Sequence, residues 1–168
     1  GEAPTWDVAN RRVLWTDNET DKTYEYAVDS GERRILTEGV AVGGIALNRS
    51  GGLVLGGPTG LHLWRDGHWH SIVASYKGEE LKINDMIADP QGRIYAGTMY
   101  WGANGMEKPG RLYLISPDGS VRAIDEGIEL ANGLGFSPDN KVLYFTDSTA
   151  RKIYAYDVEP VSGELSGR

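Results

Sequence analysis

The chain is built from a segment that recurs four times, and this repeat constrains the fold more than any other feature. In each copy a short strand runs into a polar turn, an apolar strand follows the turn, and a third strand comes next. The turns begin at residues 7, 48, 89 and 137, so the spacings are 41, 41 and 48 residues. Four short strands in every ~40–45 residues are typical of a β-propeller blade. Four unrelated hairpins of a β-sandwich are the alternative, which the constant register disfavours.

The length of the chain sets the number of blades. Dividing 168 residues by ~42 residues per blade gives about four blades. We therefore predict an all-β fold, a single β-propeller domain with four-stranded blades at residues 1–39, 40–80, 81–128 and 129–168. Since propellers have 4–8 blades in general, the chain is either a four-bladed propeller or part of a larger one.

Composition excludes several functional classes. The chain has 17 basic and 24 acidic residues and a formal charge of -7, which argues against a nucleic-acid partner because such proteins need a basic surface. It has no cysteine, so disulfides and cysteine nucleophiles are excluded. The longest apolar run, at residues 39–47, is too short to span a membrane. No signal peptide is visible and the first residue is not Met, so the compartment stays open, with the cytoplasm favoured.

The register of the repeat predicts a polar ring. Four equivalent positions lie five residues before the turns and are occupied by Glu2, Gly43, Asn84 and Asn132. In a propeller the first strand of each blade lines the central channel, so these positions should meet at one end of it. Carboxylate and amide oxygens suit hard cations such as Ca²⁺, Mg²⁺ or Mn²⁺. The alternative is that the two asparagines only serve the local turns.

The third copy of the repeat is seven residues longer than its neighbours, and the extra residues fall at 100–110. This segment lies between the second and third strands of that copy, so we expect a loop at the same end as Asn84. Loops on a rigid scaffold often carry function, and this one could cover the mouth of the channel and contact a substrate. A tolerated surface insertion is the alternative.

Three ordered motifs resemble those of a known family. Residues 1–6 read G-E-x-P-x-W, residues 84–93 read N-D-x-x-x-D-x-x-G-R and are followed by A-G-T-M at 96–99, and residues 132–137 read N-G-L-x-x-S before Y-x-x-D-S at 144–148. The chain resembles the senescence-marker-protein / gluconolactonase / luciferin-regenerating enzyme family, which includes regucalcin. The resemblance implies a six-bladed propeller with one divalent metal ion (Ca, Zn, Mn or Mg) in the central channel, and mostly lactonase activity.

The resemblance also implies roles for particular residues. Glu2 and Asn132 match metal ligands of the family. Asn84 and Asp85 match positions that contact substrate, and Asn84 also stands near the metal in this pattern.

Two further positions depart from the family pattern. Lys82 stands where many members have Arg, and lysine offers a point charge instead of a planar fork. Gly102 stands where some members have an acidic residue, and Glu107 is the nearest replacement. The resemblance thus adds Lys82 and Glu107 to the substrate-binding set.

The family's general base is an aspartate in a P-D-G-x-x-x-D type motif of a later blade, and no residue up to Arg168 replaces it in register. The catalytic residue is therefore not assigned. We expect the chain to be about four of six blades, cut at both ends, with two of three metal ligands. Open blade edges would then invite self-association.

The predicted activity is hydrolysis of a sugar lactone or a related cyclic ester, with a small-molecule substrate and neither nucleic acid nor membrane as partner. A non-catalytic propeller that binds calcium or a protein is the alternative, because L-W-T-D at residues 14–17 and Y-F-T-D at 144–147 also resemble strands of protein-binding receptor propellers. His62, His68 and His70 cluster in one blade on outer strands and are interpreted as ordinary hairpin residues.

Overall fold

The structure, a computed structural model, describes residues 1–168 and consists of strands and turns. It contains no helix that could cross a membrane. The predicted all-β class is confirmed. The chain divides into two compact units, Gly1–Ile83 and Asn84–Arg168. Each unit holds two four-stranded antiparallel sheets and one two-stranded hairpin.

The first unit contains ten strands, and within each of its sheets consecutive strands of the chain are neighbours. The first sheet comprises β1 (Glu2–Asp7), β2 (Arg12–Asp17), β3 (Lys22–Ala27) and β4 (Glu32–Glu38). The second comprises β5 (Gly44–Leu47), β6 (Leu53–Gly57), β7 (Gly60–Arg65) and β8 (His68–Val73), and a small hairpin of β9 (Ser75–Tyr76) and β10 (Glu79–Glu80) follows. Both sheets contribute to one apolar core, which contains Leu14, Val42, Ile45, Leu53 and Leu55.

The second unit has the same design with one insertion. Its first sheet comprises β11 (Ile83–Ala88), β12 (Ile94–Thr98), β15 (Gly110–Ile115) and β16 (Val121–Ile128). Its second comprises β17 (Ala131–Phe136), β18 (Val142–Asp147), β19 (Lys152–Val158) and β20 (Leu165–Ser166). The two sheets share a core of Tyr95, Leu112, Leu114, Ile128, Ala131, Leu143, Phe145, Tyr156 and Val158.

Close packing of these two sheets requires a glycine. A Cβ atom at Gly97 in β12 would collide with the Cβ of Ala131 in β17 and lie 3.5 Å from Cε2 of Phe145. Any side chain at position 97 would push β17 away from β12, because protein interiors leave no room for an added methyl group without a shift.

Each of the four predicted turns joins the first and second strands of a sheet. Three of them close through a backbone hydrogen bond: Gly51 to Asn48 at 2.9 Å, Gly92 to Asp89 at 3.0 Å, and Asn140 to Ser137 at 2.8 Å. In the first turn the backbone N–H of Asn10 donates to the Asp7 carboxylate at 3.2 Å instead.

The insertion at 100–110 is a β-hairpin and not the expected loop. Strands β13 (Tyr100–Gly102) and β14 (Gly105–Lys108) pair with each other in a sheet of their own. Gly105 follows the two residues that connect the strands and has a φ of 103°, a conformation that favours glycine. The Lys108 ammonium lies 4.1 Å from the centre of the Tyr100 ring and adds a cation–π contact across the pair.

A chain of charged side chains crosses the first sheet and takes one residue from each of its four strands. Glu25 in β3 is 1% exposed, and its carboxylate accepts hydrogen bonds from Arg12 Nη1 in β2 at 2.6 Å and from Arg34 Nε in β4 at 2.7 Å. Arg12 Nε also donates to the buried Asp7 carboxylate in β1 at 2.9 Å. A buried carboxylate needs such partners, because an unpaired charge is costly to remove from water.

We predict that Glu25→Gln lowers the free energy of unfolding by about 2 kcal/mol, because it removes the charge that both arginines contact. The Arg34 side chain is 60% exposed, and solvent weakens its share. Urea unfolding at pH 7 measures the change. Glu32→Gln is the matched control, since Glu32 is an exposed residue of β4, and we expect it to shift the value by less than about 0.5 kcal/mol. Equal effects of the two substitutions would contradict the role of Glu25.

The network also predicts an acid-dependent loss of stability. Burial by itself raises the pKa of the Asp7 carboxyl, but hydrogen bonds from Asn10 and Arg12 outweigh it and leave that pKa below its usual value of 3.8. A pKa that is lower in the folded state contributes stability above pH ~4, and this contribution is lost as the pH falls through the folded pKa. We expect Asp7→Asn to be less stable than wild type at pH 7 and the gap to close toward pH 2. Urea unfolding across this range tests it, and a gap independent of pH would contradict it.

Candidate functional site

Two hydrogen bonds join the N-terminal part of β11 to the N-terminal part of β17. The Asn84 side chain donates from Nδ2 to the carbonyl oxygen of Ala131 at 2.7 Å. One residue later, the Asp85 carboxylate accepts from the backbone N–H of Gly133 through Oδ2 at 2.6 Å. The two predicted motifs that begin at residues 84 and 132 are therefore in direct contact within the second unit.

Asp85 uses both of its oxygens on backbone groups. Besides the bond to Gly133, its Oδ1 accepts from the backbone N–H of Met86 at 2.8 Å. A carboxylate that bridges its own strand to the next one serves to fix the distance between them. The geometry thus gives Asp85 a positioning role next to Asn84 and Asn132.

A β-bulge sets the position of Asn132. Asn132 lies opposite Thr146, whereas Leu134 lies opposite Phe145, so Gly133 is the extra residue of β17. Gly133 has a φ of 56°, and a Cβ there would lie 3.1 Å from Thr146 Oγ1. Bulges with a left-handed glycine bend a strand and redirect the neighbouring side chain. The half-buried Asn132 amide makes none of the hydrogen bonds found in the structure, so its oxygen can accept a ligand.

Glu2 occupies the corresponding position of β1 in the first unit. It lies opposite Thr16, and the register then shifts before Thr5, which lies opposite Leu14. Ala3, within this irregularity, has a φ of 48°. Glu2 and Asn132 therefore share a register: each faces a threonine of the second strand and precedes a bulge with positive φ. Their common role as metal ligands stays a prediction.

The β13–β14 hairpin is anchored next to the start of β17. Trp101 donates from its indole nitrogen to the carbonyl oxygen of Glu129 at 2.9 Å. The backbone N–H groups of Glu129 and Leu130 in turn donate to the Asp147 carboxylate, each at 3.0 Å. Asp147 is 1% exposed, so this buried carboxylate fixes the segment that leads into Ala131 and holds the hairpin against it.

Glu107 lies over the backbone of Gly102 within that hairpin. A Cβ atom at Gly102 would collide with Glu107 Oε1 and would lie 3.2 Å from its Cδ. The Glu107 carboxylate therefore occupies the space that a side chain at position 102 would enter. The proposed role of Glu107 in substrate binding stays a prediction. Lys82 is half-buried and immediately precedes Ile83, the first residue of β11.

The other half of the 84–93 motif lies at the opposite end of β11 and has a structural role that sequence reasoning missed. Arg93 forms a buried ion pair with Asp89 at 2.5 Å and donates to the carbonyl oxygens of Val161 at 2.8 Å and Pro160 at 3.0 Å. Tyr95 donates to the carbonyl oxygen of Gly163 at 2.8 Å, and burial raises the pKa of Tyr95 to about 12, so the hydroxyl stays protonated. These bonds fasten the β19–β20 connection to the first sheet of the unit.

A cleft of about 290 Å³ adjoins this ion pair and is lined in part by Phe136, Lys141 and Val158. None of the predicted site residues lines it. The histidines do not form a metal site either: His62 Nε2 lies 3.1 Å from Thr59 Oγ1, and its ring packs edge-on against Trp69 at 5.9 Å.

No group of three or more His, Cys, Asp or Glu side chains is placed to hold a metal ion. The atoms that could coordinate a metal ion at the candidate site of the second unit are instead the side-chain oxygens of Asn84 and Asn132. Because Asn84 donates to Ala131 through its nitrogen, its oxygen is available as an acceptor. Neutral amide oxygens are ligands for hard cations such as Ca²⁺, Mg²⁺ and Mn²⁺, so these residues fit such an ion better than a soft one.

Comparison with known proteins identifies the family of the chain. A family model described as "SMP-30/Gluconolactonase/LRE-like region" matches residues 1–168. The chain is 31% identical over 175 residues to the pentonolactonase XacC of Haloferax volcanii. The alignment covers 100% of this chain and 56% of that relative. The chain thus spans little more than half the length of this curated relative.

Two solved structures show the same fold. A regucalcin from Agrobacterium tumefaciens, described as a calcium-binding protein, has a TM-score of 0.86 at 22% identity over 100% of this chain and 57% of its own. A gluconolactonase from Xanthomonas campestris has a TM-score of 0.84 at 25% identity over 99% of this chain and 60% of its own. The predicted propeller fold with four-stranded blades is thereby confirmed. The chain belongs to the SMP-30/gluconolactonase/LRE-like family.

Proposed function

We propose that the chain contributes to metal-dependent hydrolysis of a sugar lactone. The observation that carries the proposal is the pair of hydrogen bonds that joins residues 84–85 to residues 131–133 and so brings Asn84 next to the segment that contains Asn132. Relatives of the chain are named pentonolactonase, sugar lactone lactonase and gluconolactonase, which supports this reaction class.

In this proposal Asn132 is a ligand of a divalent cation, with Asn84 close to it, and Glu2 is proposed as a metal ligand from its equivalent register in the first unit. Their oxygen donors favour Ca²⁺, Mg²⁺ or Mn²⁺ over Zn²⁺. When bound, such an ion supplies Lewis-acid polarisation of the lactone carbonyl.

The remaining predicted residues bind and orient the substrate. The Asn84 side-chain oxygen accepts a hydrogen bond from a sugar hydroxyl while its nitrogen stays on Ala131. The Glu107 carboxylate accepts from another hydroxyl, and the Lys82 ammonium donates to an oxygen of the ring or carbonyl. Asp85 keeps β11 and β17 at a fixed distance and is not assigned as general base, because both of its oxygens already accept backbone N–H groups.

Calcium binding without turnover is the second candidate. It is favoured by relatives named regucalcin and by the similar structure described as calcium-binding. It would use the same oxygen donors, so only an assay of turnover separates the two.

Lactone hydrolysis tests the proposal. We expect the protein carrying this chain to hydrolyse gluconolactone or a pentonolactone in a weakly buffered pH-indicator assay, with activity lost to a chelator and restored by Ca²⁺, Mg²⁺ or Mn²⁺. Asn132→Ala should lower kcat/KM by about 100-fold, since loss of groups that hold a catalytic metal has at least such effects. Asn18→Ala, at an exposed turn, is the matched control and should leave kcat/KM unchanged.

Three outcomes separate the candidates. Metal-stimulated turnover that Asn132→Ala lowers by about 100-fold supports the lactonase. Metal binding without turnover of either lactone contradicts it and favours the calcium-binding alternative. Full activity in Asn132→Ala would show that the site lies elsewhere.

The bulge at Gly133 gives a further prediction. Gly133→Ala forces a side chain into the left-handed region and toward Thr146, so it should lower the free energy of unfolding by about 1–2 kcal/mol. It should also weaken metal binding, because Asn132 is displaced. Thermal melting with and without metal measures both effects. Gly135→Ala in the same strand is the control, because a Cβ there meets nothing within 4 Å and we expect no loss. Equal behaviour of the two variants would contradict the account of the bulge.

A further inference from the structure

A row of three threonines crosses the first sheet of the first unit. Thr16 in β2 lies opposite Thr23 in β3, which lies opposite Thr37 in β4. Glu2 in β1 lies opposite Thr16 and completes the row. Directly opposed residues of antiparallel strands project from the same face of the sheet, with neighbouring Cβ atoms ~4.5–5.5 Å apart.

All three hydroxyl groups are buried and none has a partner among the protein atoms. Thr16 and Thr23 are 0% exposed and Thr37 is 6% exposed. The Oγ1 atom of each makes no hydrogen bond.

Another buried threonine shows that this is not the rule in the chain. Thr98 in the second unit is also 0% exposed, but its hydroxyl donates to the carbonyl oxygen of Arg111 at 3.2 Å and accepts from the backbone N–H of Arg111 at 3.0 Å. The difference is one of position: the Thr98 hydroxyl receives the backbone N–H of Arg111, whereas the residues next to Thr16 and Thr23 pair with each other across the sheet.

Three buried hydroxyls without any hydrogen-bond partner would lower the free energy of unfolding considerably, because each of them loses its hydrogen bonds to water on folding. Folded proteins have only a small net stability, so such a loss would be large in comparison. Buried waters commonly remove this penalty, since each makes about three hydrogen bonds to groups that the protein leaves unsatisfied. A water molecule with one hydrogen bond of about 2.8 Å to each of two hydroxyls joins oxygen atoms up to about 5.6 Å apart, a range open to side chains that face each other across a sheet.

We infer that the row Thr16–Thr23–Thr37 is a binding site for ordered water molecules, which bridge neighbouring hydroxyls inside the first unit. The neutral hydroxyls suit water better than a cation. The nearby carboxylate of Glu25 already accepts hydrogen bonds from Arg12 and Arg34, so it is not available to a cation. Glu2 lies opposite Thr16 at the β1 end of the row, so water bound at Thr16 lies next to a residue that we propose as a metal ligand. That last link depends on the proposed function, but the hydration site does not.

The sign of a stability change tests this inference. Thr23→Val keeps the shape of the side chain and removes the hydroxyl. If water bridges the row, the substitution breaks hydrogen bonds and the melting temperature should fall by about 2–4 °C, the shift usual for losing one such interaction in a chain of this size. If the hydroxyls are dry, the substitution removes a penalty and the melting temperature should rise. Thr98→Val is the control that loses known hydrogen bonds and should lower the melting temperature in either case.

Water-¹⁷O magnetic relaxation dispersion gives an independent count of long-lived internal waters and requires only folded protein. We expect at least one fewer such water in Thr23→Val than in wild type, and the same loss in Thr16→Val should the first variant fold poorly. A melting temperature that is unchanged or higher, or a water count that does not change, would overturn the inference. Both readouts are independent of lactone turnover, so failure of the proposed function and failure of this inference are distinguishable.

Discussion

Two hydrogen bonds between β11 and β17 hold together the part of the chain that carries its candidate site. In one of them the amide nitrogen of Asn84 reaches Ala131, and in the other the carboxylate of Asp85 receives the N–H of Gly133. The second bond depends on the bulge that Gly133 makes, and that bulge also directs Asn132. Binding geometry and strand cohesion therefore rest on the same few atoms. The Asn-Asp and Asn-Gly dipeptides of the two motifs are partners of each other, although 48 residues separate Asp85 from Gly133.

Charged residues elsewhere in the chain serve mainly to fasten strands and loops. In the first unit Glu25 joins three strands through Arg12 and Arg34. In the second, Arg93 with Asp89 fixes the β19–β20 connection, and Asp147 fixes the segment before β17. Each of these carboxylates is nearly inaccessible and saturated by donors. A reactive carboxylate has to face its substrate instead, so these residues are unsuited to catalysis.

The sequence predicted the fold well, whereas the roles of the site residues stay predictions, and both outcomes have identifiable physical reasons. The spacing of turns predicted four sheets because turn residues are local signals that do not depend on distant partners. Counting back from those turns brought Asn84 and Asn132 to equivalent positions because strand register is periodic. The hairpin at 100–110 was expected to be a loop, since its strands are three and four residues long and depend on the Tyr100–Lys108 contact. Arg12, Glu25 and Arg34 lie too far apart in sequence for any local pattern to pair them. The contact of Glu107 with Gly102 likewise appears only once the hairpin is folded.

The central claim is that the bulge at Gly133 presents the Asn132 oxygen to a divalent cation. The most direct test is X-ray diffraction at the manganese absorption edge, on crystals of the protein grown with Mn²⁺. The account predicts an anomalous peak at coordination distance, roughly 2.0–2.4 Å, from the side-chain oxygen of Asn132. Manganese bound at another place, or an Asn132 amide hydrogen-bonded to the protein with no ion beside it, would contradict the account.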